Sequence, residues 1–304
     1  MKRMKMDKED LEGFATDSDT DIECLQIAPL GGGKAAILFL LSDADYVTTV
    51  SVIFIVDDFN PKTARGFLVT SEWLMSLSAS PSGELFALEA TTWIWRNADA
   101  NWTRDKVSEK SLRQVWAEDS GGPIAVGTDG VAYRLAGSLW QPFTPLGSNE
   151  YLDVHGHPKH GIYACGELGT IHQLVGTGWR QLDVHRHDRF RGIDIAPDGK
   201  IRVAGDHGVC LRIADEEVTQ IEAAADMTYL AVRNFKGKAY WGDEAGLNIE
   251  VGGALEPFED TGIASDLRTD GEFLYVAGID TAWRFDGRKW KTLTLVYDEG
   301  LRLT

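Results

Sequence analysis

Two short histidine clusters are the residues of this sequence best suited to metal chemistry. His155 and His157 lie in the stretch DVHGHPKH, and His185 and His187 lie in DVHRHDRF. Each His-x-His pair places two imidazoles on the same side of an extended chain, a spacing that many metal sites use. Either pair needs nearby carboxylates to complete a site. Solvated loop histidines are the competing interpretation, so these four residues are weak candidates for metal ligands.

Acidic residues at regularly spaced turns form a second group of candidates. Six of them follow short apolar strands and two lie on the connections between repeats: Asp129, Glu167, Asp206, Asp243, Glu244 and Asp280, with Glu150 and Asp188. Aspartate is common in tight turns because its side chain bonds to the local backbone, and that explanation alone covers many of them. A rim of one charge sign around a channel mouth would instead steer a cationic partner. Both interpretations remain open from the sequence.

The sequence lacks the motifs that mark the common catalytic sites. It contains no G-x-S-x-G nucleophile elbow, no P-loop and no dinucleotide-binding fingerprint. The three cysteines, Cys24, Cys165 and Cys210, have no C-x-x-C spacing. Cys165 and Cys210 lie inside apolar strands, where burial raises a thiol pKa and makes a nucleophilic role unfavourable. We therefore predict no catalytic residue and no cofactor.

The elements that must carry these residues are arranged in repeats. One marker is the residue that ends the second strand of each unit, and it recurs every 36 to 39 residues at Glu89, Gly127, Gly166, Gly205, Gly242 and Gly278. A second marker, in the last strand of each unit, recurs every 35 to 39 residues at Trp102, Trp140, Trp179, Val218, Leu255 and Trp290. The spacings of the two markers vary in parallel from unit to unit, which indicates true internal repetition.

Each repeat contains four short strands with alternating apolar and polar residues. Four strands within 35 to 40 residues are typical of a β-propeller blade. Six such units lie between residues 72 and 296, and residues 22–71 supply four strands of an irregular first unit. The sequence therefore predicts an all-β fold, a single seven-bladed β-propeller of four-stranded antiparallel blades over residues 22–304. A flexible acidic leader is predicted over residues 1–21.

Particular residue types are expected to shape the blades. Small residues in the second strand let the blades converge near the axis, and a bulky Trp on the outer strand fills the widening gap between sheets. Glycines at strand ends and in the following turns are expected to permit positive φ and tight reversal.

One repeat resembles a known type of bacterial propeller repeat. The run VWAEDSGGPIAVGTDGVAYRLAGSLWQPF, which starts at Val115, is similar to repeats of the form GVWG…DVWAVGDGGTILHYDGSSWT. The next unit repeats the match through ACG at 164–166 and GTIH at 169–172. The resemblance implies a propeller fold and hardly constrains function, because such repeats occur in proteins of many roles.

Charge and composition restrict the partners. The net charge is −17 and the isoelectric point is near 4.8, which argues against nucleic-acid backbones and anionic membrane surfaces. No apolar run approaches the roughly 18 residues of a membrane helix, and no secretory signal precedes the repeats, so a cytoplasmic location is expected.

These observations favour a protein that binds another protein and does not catalyse a reaction. The specific hypothesis is a cytoplasmic bacterial immunity or inhibitor protein that occludes a basic toxin or effector. Two alternatives stay open: a propeller lyase or hydrolase with its site at the channel mouth, and an assembly scaffold of a multi-subunit complex.

Overall fold

The chain forms seven antiparallel sheets that follow one another along the sequence. The computed structural model describes residues 20–43, 48–98, 101–118, 121–145, 147–215, 217–297 and 300–304. The predicted leader, residues 1–21, lies outside the described residues except for its last two, which begin the first strand. The prediction of a seven-bladed β-propeller is confirmed.

The first four blades begin with the irregular unit. Blade 1 consists of β1 (Thr20–Gly31), β2 (Lys34–Asp43), β3 (Thr49–Asp57) and β4 (Arg65–Thr70). Blade 2 consists of β5 (Leu74–Ala79), β6 (Leu85–Glu89), β7 (Trp93–Ala98) and β8 (Asn101–Lys106). Blade 3 consists of β9 (Leu112–Trp116), β10 (Ile124–Gly127), β11 (Ala132–Ala136) and β12 (Leu139–Pro142). Blade 4 consists of β13 (Tyr151–His157), β14 (Gly161–Gly166), β15 (Ile171–Val175) and β16 (Gly178–Gln181).

The last three blades complete the ring. Blade 5 consists of β17 (Phe190–Ile195), β18 (Ile201–Gly205), β19 (Cys210–Ala214) and β20 (Glu217–Gln220). Blade 6 consists of β21 (Tyr229–Phe235), β22 (Lys238–Asp243), β23 (Leu247–Val251) and β24 (Ala254–Glu259). Blade 7 consists of β25 (Asp266–Thr269), β26 (Leu274–Ala277), β27 (Thr281–Phe285), β28 (Trp290–Tyr297) and β29 (Leu301–Leu303). The fifth strand of this blade was not part of the prediction.

The antiparallel order of each blade separates its loops onto two faces of the disc. The turns between second and third strands lie on the same face as the links between blades, and we call this the turn face. A backbone hydrogen bond from Glu167 N to Glu150 O joins a turn to a link there. The loops between first and second strands and between third and fourth strands lie on the opposite side, the hairpin face. No helix among the described residues is long and apolar enough to span a membrane.

The hydrophobic core is divided into seven clusters, one between each pair of neighbouring blades. The outer-strand tryptophans pack against the preceding blade, as predicted. The Trp102 ring meets Phe67 edge-on at a centroid distance of 5.7 Å, and Trp179 meets Phe143 at 5.8 Å. The repeat spacing therefore reflects the contact that fixes one blade against the next.

The strand-end glycines are required for a reason other than the predicted one. Gly127 and Gly166 have φ of −170° and −178°, which is extended backbone open to any residue. A Cβ on Gly166 would lie 1.8 Å from Glu150 O, because the incoming link crosses there. Positive φ occurs at the turn glycines instead, with 67° at Gly130 and 71° at Gly169. The expectation of positive φ at the strand ends is therefore wrong for Gly127 and Gly166.

The ring closes by contacts between blades 7 and 1, each of which is built from its own stretch of chain. The buried Arg284 guanidinium donates to Asp58 Oδ1 at 2.7 Å and lies over the Phe273 ring at 4.1 Å. The C-terminal strand β29 pairs with β28, and Leu303 enters the core cluster shared by these two blades.

Candidate functional site

The structure places the predicted acidic residues on one face of the disc. Asp129, Glu167, Asp206, Asp243, Glu244 and Asp280 lie at or beside turns between second and third strands, and Glu150 and Asp188 lie on links between blades. All eight therefore belong to the turn face. Their burial differs widely: Asp129 and Glu244 are exposed, whereas only 5% of Asp243 is accessible.

Basic residues neutralise the acidic groups in blades 3 to 5. Lys110 Nζ lies 2.7 Å from Asp129 Oδ2, and Arg186 Nε lies 2.6 Å from Asp188 Oδ2. Further pairs join Arg113 to Glu150 and Arg191 to Asp206. Arg189 lies 3.9 Å from a carboxylate oxygen of both Glu150 and Glu167. This part of the turn face is a mixed-charge surface and not a rim of one sign.

The acidic groups around the turn of blade 6 form no such ion pairs within the part of the chain that the structure describes. The sequence contains no Lys or Arg in residues 213–232 or 239–267. Five acidic residues border the turn there: Asp226, Asp243, Glu244, Glu259 and Asp260. We call these five the acidic sector. Among the described residues, none of the five forms an ion pair, so the charge of the exposed members, Asp226, Glu244 and Asp260, is available to a partner.

Asp243 has a structural role within the acidic sector. Its Oδ1 accepts hydrogen bonds from Ala245 N at 2.7 Å and Gly246 N at 2.8 Å, and its Oδ2 accepts from Asn248 Nδ2 at 2.8 Å. This carboxylate therefore shapes the turn that displays Glu244. The explanation by local turn chemistry therefore applies to Asp243, and a partner-binding role of the exposed acidic residues stays a prediction.

A groove with an apolar floor runs beside the acidic sector. Its volume is about 560 Å³, and its apolar lining comes from Met227, Leu247, Leu255 and Phe258. Asp243, Glu259 and Asp260 lie at its edges. Such a groove can hold apolar side chains while the carboxylates bind cationic groups on the same ligand.

Three large apolar side chains are exposed on the same face. Leu168 is 61% exposed, Ile279 is 56% exposed and Trp73 is 40% exposed. Leu168 has φ 53° and ψ 38°, a left-handed conformation that is unfavourable for a branched apolar residue. Strained residues that display their side chains often belong to binding sites. The turn face thus offers apolar anchors together with charge.

The two histidine clusters lie on opposite faces and do not combine. His185 and His187 are exposed on the link between blades 4 and 5, and His157 stacks on His160 at a centroid distance of 4.9 Å. No group of three or more His, Cys, Asp and Glu within the described ranges is arranged to hold a metal ion.

His155 differs from the solvated loop histidine that the sequence suggested. Only 8% of it is accessible, and its Nδ1 accepts a hydrogen bond from Ile195 N at 3.3 Å. Burial lowers the pKa of His155 well below its usual value, and the nearby Arg233 and Arg268 add to this effect. The imidazole is therefore neutral, with its proton on Nε2.

The three cysteines are buried and unpaired. Burial raises the pKa of each thiol above its ordinary value. They pack as small apolar side chains, in agreement with the prediction.

The central channel contains a polar network that the sequence reasoning did not single out. The innermost strands have one unpaired edge, so side chains of one blade accept hydrogen bonds from backbone N–H groups of the next. Asp153 Oδ2 accepts from Ile193 N at 2.9 Å, and Asp194 Oδ2 accepts from Asn234 N at 3.0 Å. This network connects blade to blade around the axis.

Two buried arginines share the channel with these carboxylates. Arg233 Nη1 donates to Asp194 Oδ1 at 3.2 Å, and Arg268 Nε donates to Asp266 Oδ2 at 3.0 Å. Burial raises the pKa of Asp153 and Asp194, and the arginines offset part of that rise. A cavity of about 310 Å³ opens beside this network at the hairpin face, lined among others by Trp116, Glu118, His155 and Arg233.

Solved structures share this architecture at low sequence identity. The WD40 β-propeller domain of Doa1 has a TM-score of 0.64 and 12% identity, with 86% of this chain and 93% of that chain covered. The fold is that of WD40-like seven-bladed propellers. YCF48 bound to a D1 peptide has a TM-score of 0.64 and 14% identity over 86% of this chain and 90% of that chain. Sqt1 of Chaetomium thermophilum, bound to the N-terminus of ribosomal protein L10, has a TM-score of 0.60 and 13% identity over 93% and 92%.

The comparison by sequence gives no further relatives. No protein-family model matches the chain, and no curated protein matches it. The likeness of the propeller to solved structures therefore establishes its fold alone.

A signal for the channel network was present in the sequence. Asp153, Asp194, Arg233 and Arg268 lie in the first strands of successive repeats, each next to at least one large apolar residue. The first strand is the innermost strand of each blade, so charged residues in it lie beside the channel.

Proposed function

We propose that this propeller is a protein-binding module that docks its partner on the turn face and catalyses no reaction. The observation that carries the proposal is the acidic sector, whose carboxylates form no ion pair among the described residues and three of which border an apolar groove. Interfaces combine buried apolar anchors with a polar rim, and complementary charge speeds the encounter. Two neighbours of the same fold were solved with a peptide or protein terminus bound, which supports a protein partner.

We further propose that the partner is basic and that the propeller acts as an inhibitor or immunity protein that covers a toxin or effector. The chain has a net charge of −17, and its acidic sector around blade 6 lies in a part of the sequence with few basic residues. Both features favour a cationic surface on the partner. Three buried thiols without a disulfide are compatible with a reducing compartment, so the proposed location is the cytoplasm.

The channel mouth gives less support to an enzyme. His155 Nδ1 lies 3.6 Å from Asp194 Oδ1, a spacing that invites comparison with an acid–base pair. However, His155 Nδ1 already accepts a backbone hydrogen bond, and Asp194 accepts hydrogen bonds from Arg233 and Asn234. Both groups are committed to joining the blades.

Charge neutralisation with a matched control tests the proposal. The test variant combines Asp226→Asn, Glu244→Gln and Asp260→Asn, which removes three charges from the acidic sector. The control combines Asp198→Asn, Asp270→Asn and Asp286→Asn, three exposed residues in loops of the hairpin face. Both variants change the net charge equally.

The assay is affinity capture from the native source, followed by titration of the captured protein. We expect wild type and control to retain a basic partner and the test variant to bind it about ten to a hundred times more weakly, since each rim charge contributes about 0.5–1 kcal/mol. Equal binding by both triple variants would refute the docking face. An acidic or non-protein partner would refute the proposed partner class.

A further inference from the structure

The channel mouth on the hairpin face contains hydrogen-bond donors without acceptors. Arg268 is 2% accessible, and neither its Nη1 nor its Nη2 has a hydrogen-bond partner among the described residues. The indole Nε1 of Trp116 is also buried and forms no hydrogen bond of good geometry among the described residues, although the Glu118 carboxylate lies close enough to interact with it. Guanidinium and indole groups are donors only, and leaving buried donors unsatisfied costs free energy. Such groups call for an acceptor that the described chain does not supply.

The other carboxylates of the channel are already engaged. Asp266 binds Arg268 Nε and Gln26 Nε2, and Asp194 binds Arg233 and a backbone N–H. Asp153 accepts from Val154 N at 2.8 Å and from Ile193 N at 2.9 Å. Each has two donors of its own, so none of them satisfies the outer nitrogens of Arg268.

Glu118 lies between these donors and solvent. Its Oε1 is 3.9 Å from Arg268 Nη1, which is too long for a hydrogen bond, and about 35% of its side chain is accessible. Burial raises the pKa of Glu118, an effect that Arg268 and Arg233 partly offset. Glu118 lines the cavity of about 310 Å³ together with Trp116 and Arg233, whereas the buried Arg268 adjoins Glu118 and is not itself part of the lining. The carboxylate thus stands near the donors without completing the contact.

We propose that the cavity at the channel mouth binds a carboxylate group, which occupies the outer nitrogens of Arg268 and displaces Glu118. A planar guanidinium binds a carboxylate through two parallel hydrogen bonds, which suits the two free nitrogens of Arg268. The cavity has the size of a small-ligand site. The carboxylate can belong to a small organic acid or to a peptide C-terminus, since both present the same two oxygens. The site lies on the face opposite the acidic sector.

The test measures the melting temperature of the protein with each of several defined probes, and the binding of each probe by ligand-observed NMR. The probes are glutarate, a short apolar peptide with a free C-terminus, and the same peptide as its C-terminal amide, with sodium chloride at equal ionic strength as the salt control. We expect the acids to bind and to raise the melting temperature with concentration, and the amide to do neither. Binding of glutarate and peptide acid alike indicates a small-acid site; binding of the peptide acid alone indicates a chain terminus.

Two variants are expected to change the affinity for the acid in opposite directions. Arg268→Gln is expected to weaken acid binding about tenfold or more, because charge-assisted hydrogen bonds are lost. Glu118→Gln is expected to tighten it about two- to fivefold, because a competing like charge is removed. Asp286→Asn, in a remote loop of the same face, is the control and is expected to change nothing.

Three results would overturn the proposal. The first is that neither acid binds at about 10 mM, which would mean that water alone fills the cavity. The second is equal binding of peptide acid and peptide amide. The third is weaker acid binding by Glu118→Gln, which would mean that the Glu118 carboxylate does not compete with the ligand for Arg268. Because Glu118 is partly exposed, its variant remains informative even if Arg268→Gln fails to fold.

Discussion

Removing the Asp194 carboxylate should destabilise the propeller strongly. Asp194 is 2% accessible and accepts hydrogen bonds from Arg233 Nη1 at 3.2 Å and from Asn234 N at 3.0 Å. Arg233 is itself 4% accessible. The change Asp194→Ala leaves a buried guanidinium without its counter-ion, and breaking a buried pair in this way costs about 3–5 kcal/mol. Asp194→Asn, which keeps an acceptor, should cost about 1–3 kcal/mol.

Urea unfolding followed by tryptophan fluorescence measures these free energies, and the protein has ten tryptophans to report on it. The double variant Asp194→Ala/Arg233→Met separates pairing from packing. If the stranded charge is the cause, the double variant should recover at least half of the loss. Asp198→Ala, an exposed carboxylate in a nearby loop, is the control and should cost less than about 1 kcal/mol. A loss below about 1 kcal/mol for Asp194→Ala, or additive losses in the double variant, would refute the reasoning.

Three further predictions concern the fold. Gly166→Ala should destabilise the protein by several kcal/mol or prevent folding, because its Cβ would lie 1.8 Å from Glu150 O. The control is Gly178→Ala, where nothing lies within 4 Å of the added Cβ, and it should cost less than about 1 kcal/mol in the same urea assay. Equal losses would contradict the close-approach explanation. The folded-state pKa of His155 lies well below the unfolded value of about 6.5, so the unfolded chain takes up the proton first as the pH falls. Below about pH 6.5, wild type should therefore lose about 1.4 kcal/mol of stability per pH unit relative to His155→Gln. Parallel pH profiles of the two proteins would contradict burial as the cause. Leu303→Ala should cost about 2–3 kcal/mol and lower the melting temperature, since Leu303 is 7% accessible in the cluster that closes the ring; an unchanged melting temperature would show that β29 is dispensable.

The fold was predictable because its repeats leave two independent markers in the sequence. The strand-end residues, such as Gly166, and the outer tryptophans, such as Trp179, both follow from contacts that every blade must make with its neighbour. The first strands that the sequence pattern predicts for blades 2 to 7 begin within one residue of the observed ones. Their predicted first residues are Leu74, Leu112, Tyr151, Phe190, Thr228 and Ser265. The C-terminal strand β29 was missed because it repeats nothing: it is three residues long and belongs to a blade that already has four strands.

The site was less predictable because charge compensation depends on distant residues. Arg113 and Glu150 are 37 positions apart, and Arg191 and Asp206 are 15 apart, so only the assembled ring shows that they pair. The sequence alone therefore left open whether the acidic groups form a rim of one sign or ordinary turns. The lack of Lys and Arg in residues 239–267 was the sequence signal that distinguishes blade 6. The channel donors depend on the burial of Arg268, which the sequence does not reveal.

The position of the bound partner tests the central claim most directly. Hydrogen–deuterium exchange of the propeller, free and saturated with the captured partner, measures protection segment by segment. We predict protection of residues 222–228, 243–246 and 258–262, which surround the groove and the acidic sector on the turn face. Protection confined to the hairpin face, at residues 157–161 and 197–200, would contradict the proposed docking surface.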